Sequence, residues 1–189
     1  SNTHHDHDNR LNPIKTELAR LETNGARWTL SDKQVTTMMS KASRVSPHGA
    51  RLSLQLIEKY QQISRRKPNV FLYSAAITST RKCSDWKRAE VYWNRMVSAN
   101  IRPNIYCFSA IISTMEKCGE WEKAELYFTM MQNHGIKPDV VTFSAVISAM
   151  EKGKQWYKAG SYFAMMQNQG IDPNVITFSA VISAMEKCG

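Results

Sequence analysis

From residue 70 onward, apolar side chains recur at the three- and four-residue steps of an amphipathic helix, in short runs separated by polar turns. One run holds Phe143, Val146, Ile147 and Met150, and the next holds Trp156, Ala159, Tyr162, Phe163 and Met166. Breaks such as Lys117-Cys118-Gly119-Glu120 separate the runs of a pair. The second run of each pair ends in Gly-Ile-Lys-Pro-Asp or Gly-Ile-Asp-Pro-Asn. Gly135 or Gly170 suits a left-handed cap there, and the following proline stops the helix. The pattern predicts helix, turn, helix, loop.

That unit repeats every 35 residues. Pro68, Pro103, Pro138 and Pro173 are each followed by Asn or Asp and then a β-branched residue: Asn69-Val70, Asn104-Ile105, Asp139-Val140 and Asn174-Val175. Residues 105–139 and 140–174 share 20 identities in 35 positions. A fixed period of this size marks stacked repeats. The fold expected is all-α: a right-handed α-solenoid of stacked helix-turn-helix repeats of 35 residues. Full repeats span 70–104, 105–139 and 140–174, and 175–189 holds the first helix of a partial one. Residues 35–69 read as a degenerate copy in the same register, with Leu54, Ile57 and Tyr60 in its second-helix core. Residues 13–34 form an N-terminal capping region, with Ile14, Leu18 and Leu21 on one apolar face and Ser31 as an N-cap. Residues 1–12 are expected to be disordered or extraneous to the native chain.

Many repeating positions have a packing explanation. Ala89, Ala124 and Ala159 are small where helices must approach closely, and Trp86, Trp121 and Trp156 open the second helices. Tyr92/Tyr127/Tyr162 and Trp93/Phe128/Phe163, with the methionines Met96, Met130/Met131 and Met165/Met166, make a stripe that fills the space between helices without a cofactor. Cys83, Cys118 and Cys188 occupy one equivalent position, where the third copy has Gly153; equivalent positions in a stack are too far apart for a shared metal or disulfide.

Composition narrows the function. With 42% hydrophobic residues, 22% charged and only 8 Gly and 6 Pro in 189 residues, the chain can bury a core. No apolar run approaches the ~18 residues of a membrane span, so no membrane partner is expected. The net charge is +9, with 12 Lys/Arg against 6 Asp/Glu in residues 1–69 and 13 against 10 in 70–189. A basic surface attracts polyanions without naming one.

The unit Val-Val-Thr-Phe-Ser-Ala-Val-Ile-Ser-Ala-Met-Glu-Lys, followed by Trp-Tyr-Lys-Ala, Tyr-Phe-Ala-Met-Met-Gln-Asn-Gln and Gly-Ile-Asp-Pro-Asn, resembles a pentatricopeptide repeat. The resemblance is strong over 70–189, weak over 35–69 and absent from 1–34. It implies single-stranded RNA binding, one base per repeat, in the RNA metabolism (stability, processing, splicing or translation) of a chloroplast or mitochondrion. It further implies that a polar residue of the first helix and the last residue of the same unit read the base edge together. These pairs are Ser74 with Asn104, Ser109 with Asp139, and Ser144 with Asn174; Ser179 has no partner within the chain. A carboxylate only accepts hydrogen bonds and suits the N–H groups of guanine, whereas an amide suits the donor and acceptor of adenine. By the family's pairing pattern the resemblance implies a preference for A-G-A, from the repeat at 70 to that at 140. Asn69 would pair with Met39 in the degenerate copy, with little discrimination. Phe71, Tyr106, Val141 and Ile176 would stack on bases, and the recurring Lys82, Lys117, Lys152 and Lys187 would track phosphates.

Two other classes compete. An enzyme has little support: there is no phosphate-binding loop, dinucleotide fingerprint, zinc-protease helix or nucleophile elbow, and the His4, His5, His7, Asp6, Asp8 tract is a poor metal site. No cofactor or metal is expected. A protein-interaction scaffold within a larger organellar assembly is the stronger alternative. The last helix leaves Ala180, Val181, Ile182 and Met185 without a second helix to cover them. That face implies either a continuation of the chain or a partner, such as a second copy in a homodimer.

Overall fold

The structure, a computed structural model, describes every residue except 1, 24, 25, 65 and 187–189, together with all side chains outside 1–9 among those. Ten helices and no strand occur among the described residues: α1 (Asn2–Leu21), α2 (Asp32–Val45), α3 (Pro47–Ile63), α4 (Val70–Cys83), α5 (Trp86–Ser98), α6 (Ile105–Cys118), α7 (Trp121–Asn133), α8 (Val140–Lys152), α9 (Trp156–Asn168) and α10 (Val175–Glu186). They form two compact units, residues 1–102 and 103–189.

In the second unit, α6 packs on α7 and α8, and α8 packs in turn on α9 and α10. First helices thus lie side by side in one layer, while α7 and α9 form the other. The seam is apolar and full: Phe108, Ile111, Ile112, Phe128, Phe143, Val146 and Ile147 are all buried. Phe128 meets Phe143 and Tyr162 edge to face, each at 5.2 Å between centroids. Ala124 and Ala159 are fully buried where each second helix meets its first. A larger side chain there would push the layers apart. Both second helices close as expected, with Gly135 and Gly170 at φ 69°.

Beyond its own repeat α9 reaches back to α7. Tyr162 donates to Glu125 Oε1 at 3.1 Å and Lys158 to Glu125 Oε2 at 2.6 Å. In α10, Ala180, Val181 and Ala184 are buried, whereas Phe178, Ile182 and Met185 are exposed. This corrects the expectation for Ala180 and Val181. Contact with α8 and α9 covers them, and only the stripe on the far side is open.

In the first unit α2 and α4 are side by side, α3 and α5 form the second layer, and α1 lies on α2 and α3. Leu11, Ile14, Leu18 and Leu21 make the buried face of α1. The helix begins at Asn2, so residues 2–12, expected to lack order, are helical in backbone. The sequence missed this because the first turns carry no apolar stripe, only polar residues ahead of Leu11.

The degenerate copy also differs in register. Ser31 caps α2 with a full capping box: Gln34 N donates to Ser31 Oγ and Ser31 N to Gln34 Oε1. The first helix therefore starts at Asp32, three residues before Val35. A longer α3, 17 residues against 13 in α5, absorbs the difference. Met39 consequently turns into the core at 0% exposure. It cannot be a base-reading partner of Asn69, and that expectation is withdrawn.

Candidate functional site

Each first helix is opened by the last residue of the preceding repeat. Asn69 Oδ1 accepts from Phe71 N and Leu72 N at 3.1 and 3.0 Å. Asn104 Oδ1 accepts from Cys107 N at 3.1 Å, Asp139 Oδ1 from Thr142 N at 2.8 Å, and Asn174 Oδ1 from Thr177 N at 3.0 Å. The four side chains expected to read bases are thus helix N-caps, satisfying backbone donors that have no intrahelical partner. This role was legible in the Pro-Asn/Asp-β-branched punctuation but was not drawn from it.

Because first helices are neighbours, the cap of one lies beside the helix of the repeat before. In the second unit this brings the expected pairs together. Ser144 Oγ is 3.3 Å from Asn174 Oδ1, 2.9 Å from Thr177 Oγ1 and 2.7 Å from Val140 O. Ser109 reaches Asp139 through one intermediary: Ser109 Oγ lies 2.9 Å from Thr142 Oγ1, which donates to Asp139 Oδ1 at 2.6 Å. A carboxylate without a proton cannot donate, so Thr142 gives its hydrogen to Asp139 and Ser109 gives its own to Thr142. Thr177 repeats this arrangement, donating to Asn174 Oδ1 at 2.9 Å. Thr142 and Thr177 are fully buried and were not singled out from the sequence; a Thr third in the helix in the last two copies was the available signal.

All of these bonds fall on Oδ1. Among the described residues Asp139 Oδ2 and Asn174 Nδ2 have no protein partner. Asp139 therefore offers a second acceptor oxygen and Asn174 an –NH₂ group. Ser144 itself is only 5% exposed, so its hydroxyl braces the cap from behind. Ser109 is half-buried and Ser179 exposed. Ser74, half-buried on α4, belongs to the first unit and its expected partner Asn104 to the second.

The expected stacking residues are large and open to solvent: Phe71 is 55% exposed, Tyr106 65%, Val141 53% and Ile176 61%. Ordinary packing at a helix start would have covered them. Lys82, Lys117 and Lys152 are exposed in the last turns of α4, α6 and α8, where the helix dipole favours a cation. Lys152 Nζ also contacts Glu116 Oε1 of the neighbouring first helix at 2.6 Å. Lys187 lies outside the described residues.

The pentatricopeptide repeat domain matches residues 61–118 and 126–187, and a single pentatricopeptide repeat matches 106–136. The chain belongs to the pentatricopeptide repeat family. Its fold is an all-α helical-repeat solenoid, like those of solved pentatricopeptide repeat proteins. The protein PPR10, solved in complex with an 18-nt psaJ RNA element, superposes with a TM-score of 0.74 at 20% identity, over 96% of this chain and 26% of that one. PPR10 from maize, solved alone, gives 0.67 at 18% identity, over 85% of this chain and 23% of that one. The pentatricopeptide repeat domain of Arabidopsis thaliana protein-only RNase P 1, in complex with tRNA, gives 0.73 at 14% identity, over 96% of each chain. This chain spans about a quarter of the length of PPR10. No curated protein matches it.

Proposed function

We propose that this pentatricopeptide repeat array binds single-stranded RNA at one base per repeat, preferring A-G-A from the repeat at 70 to the repeat at 140. The observation that carries the reading is the double use of each cap. One atom of Asp139 or Asn174 is held by the helix start, which fixes the side chain, while the other atom remains for a ligand. Asp139 Oδ2 accepts from the N–H edge of guanine, and Asn174 Nδ2 donates to N1 of adenine. The small hydroxyls of Ser109 and Ser144 fix these groups and leave room for a purine. Base faces rest on Tyr106, Val141 and Ile176, each on successive first helices, and such stacking contributes about 1–3 kcal/mol per base on aromatics.

Family membership and the RNA carried by the solved relatives support this reading. The chain acts as a binding module rather than an enzyme, in chloroplast or mitochondrial RNA metabolism. Fluorescence titration with A-G-A in a pyrimidine background tests it. Affinity should fall steeply with salt and drop when the central G is replaced. Salt-insensitive binding of peptides without RNA preference would instead make the array a protein scaffold.

A further inference from the structure

In the first unit α3 and α5 both pack on α4 rather than on each other. A cleft of about 330 Å³ remains on this second-helix layer, lined by Lys87, Arg88, Val91 and Arg95 together with the carboxylates Glu58 and Asp85. Phe71 and Ser74, on α4 in the other layer, take no part in it. The repeat does not account for the cations. One period on, Lys87, Val91 and Arg95 become Glu122, Leu126 and Met130, and two periods on they become Tyr157, Ser161 and Met165. The helices α7 and α9 form with no cation at either place.

Both carboxylates are engaged within the unit. Asp85 caps α5, accepting from Arg88 N at 3.0 Å, and Glu58 Oε1 accepts from Tyr92 at 3.4 Å. Arg95 is held in place from two sides. Its Nη1 donates to Gln61 Oε1 at 3.0 Å, and its guanidinium lies over the Tyr92 ring, 5.8 Å from the centroid. The other N–H groups of the fork remain for an incoming acceptor. Arg88 Nε is 3.5 Å from Asp85 Oδ2 in an exposed pair, which holds weakly. Lys87 is exposed, with its ammonium 5.7 Å from the Trp86 ring centroid.

We infer that the cleft between α3 and α5 docks an acidic amphipathic helix of a protein partner, with Lys87, Arg88 and Arg95 as its anchors around Val91. Arg88 and Arg95 are two turns apart on one face of α5, about 10.5 Å along the axis, and exposed Val91 lies between them. A partner helix with two acidic residues seven apart and an apolar one between them matches that row. Arginine forks take carboxylates through paired N–H groups, which favours carboxylate side chains as the ligands. A nucleic acid fits less well, because the aromatic residue of the lining, Tyr92, is buried and presents no open face to a base. Charge agrees with an acidic partner: residues 1–102 hold 18 Lys/Arg against 8 Asp/Glu, net +10, while 103–189 hold 7 against 8, net −1. The whole positive excess lies in the unit that contains the cleft.

The test is fluorescence anisotropy of a labelled alanine-rich peptide that carries two Glu seven residues apart and one Leu between them. The full chain should bind it saturably, and the same peptide with Gln for both Glu should bind roughly tenfold more weakly, as expected for loss of charged hydrogen bonds. Arg95→Met, which places there the residue that α7 and α9 carry, should keep the fold by circular dichroism and weaken the peptide roughly tenfold. Lys87→Glu should weaken it as well, and the base preference for RNA should be the same in both variants. RNA carrying A-G-A should not displace the peptide. Absence of binding, or equal affinity for the Glu and Gln peptides or for wild type and Arg95→Met, would overturn the proposal. Displacement of the peptide by RNA, or loss of RNA binding in the same variants, would make the cleft part of an RNA path instead and overturn it too.

Discussion

Ser144 and Asn174 are 30 residues apart in sequence, yet the hydroxyl of one lies 3.3 Å from the amide oxygen of the other. The helix cap explains the meeting: Asn174 is fixed at the start of α10, and α10 lies against α8, which carries Ser144. Because the cap needs only one acceptor, the second atom of the side chain can vary without loss of fold.

That independence predicts the behaviour of Asp139→Asn. Asn caps as well as Asp, so the melting temperature should stay within a few degrees. The preferred base at the second of the three positions should change from G to A, by about 1–3 kcal/mol of discrimination for a matched base edge. Asp139→Ala should lose both properties, including about 0.5–2 kcal/mol of stability. Paired thermal melts and RNA titrations separate the two effects.

Thr142 bridges Ser109 to Asp139, and its removal tests whether the bridge orients the carboxylate. Thr142→Val keeps the shape but leaves the half-buried Ser109 hydroxyl without its acceptor, at a cost of about 1 kcal/mol. Discrimination for G at the central position should weaken while affinity for the flanking adenines holds. Unchanged selectivity would make the bridge purely structural.

Lys152 shares its charge with Glu116 across two first helices. An exposed pair of this kind contributes about 0–1 kcal/mol to stability, so Glu116→Gln should leave the melt nearly unchanged. It should raise RNA affinity at low salt by freeing the ammonium. Lys152→Met should instead reduce the slope of log affinity against log salt by about 0.7, the value for one phosphate contact on a single strand.

Alkaline pH should act through Tyr60. Its phenol is pushed up to about 12, first by burial and then by the hydrogen bond it donates to Asp32. A free tyrosine titrates near ~10. The folded state holds the proton more tightly, so this contribution to stability is complete below ~pH 10 and disappears as pH rises towards 12. Melting temperatures of the wild type should fall through that window, and Tyr60→Phe should show a shallower decline. Parallel curves for the two would contradict the assignment.

The two-helix repeat was legible because its signals are local. The apolar spacing, Gly135, Gly170 and the prolines each fix their own element. The alignment of the exposed residues Tyr106, Val141 and Ile176 was equally legible, since a period of 35 places them at equal points on neighbouring helices. The first unit was harder because its register is set by the Ser31 cap and the longer α3 rather than by repeat length. Counting back 35 residues from Ser74 therefore selected Met39, which is buried. The Ser109–Thr142–Asp139 chain was also hidden, because Thr142 belongs to the next repeat and meets Ser109 only once α6 and α8 pack.

The most direct measurement of base reading is selection of bound sequences from a random RNA pool at near-physiological salt. A binding module that uses Asn104, Asp139 and Asn174 as readers should enrich A-G-A, and the Asp139→Asn variant should enrich A-A-A from the same pool. Enrichment without purines at consecutive positions, or an identical motif from both proteins, would contradict it.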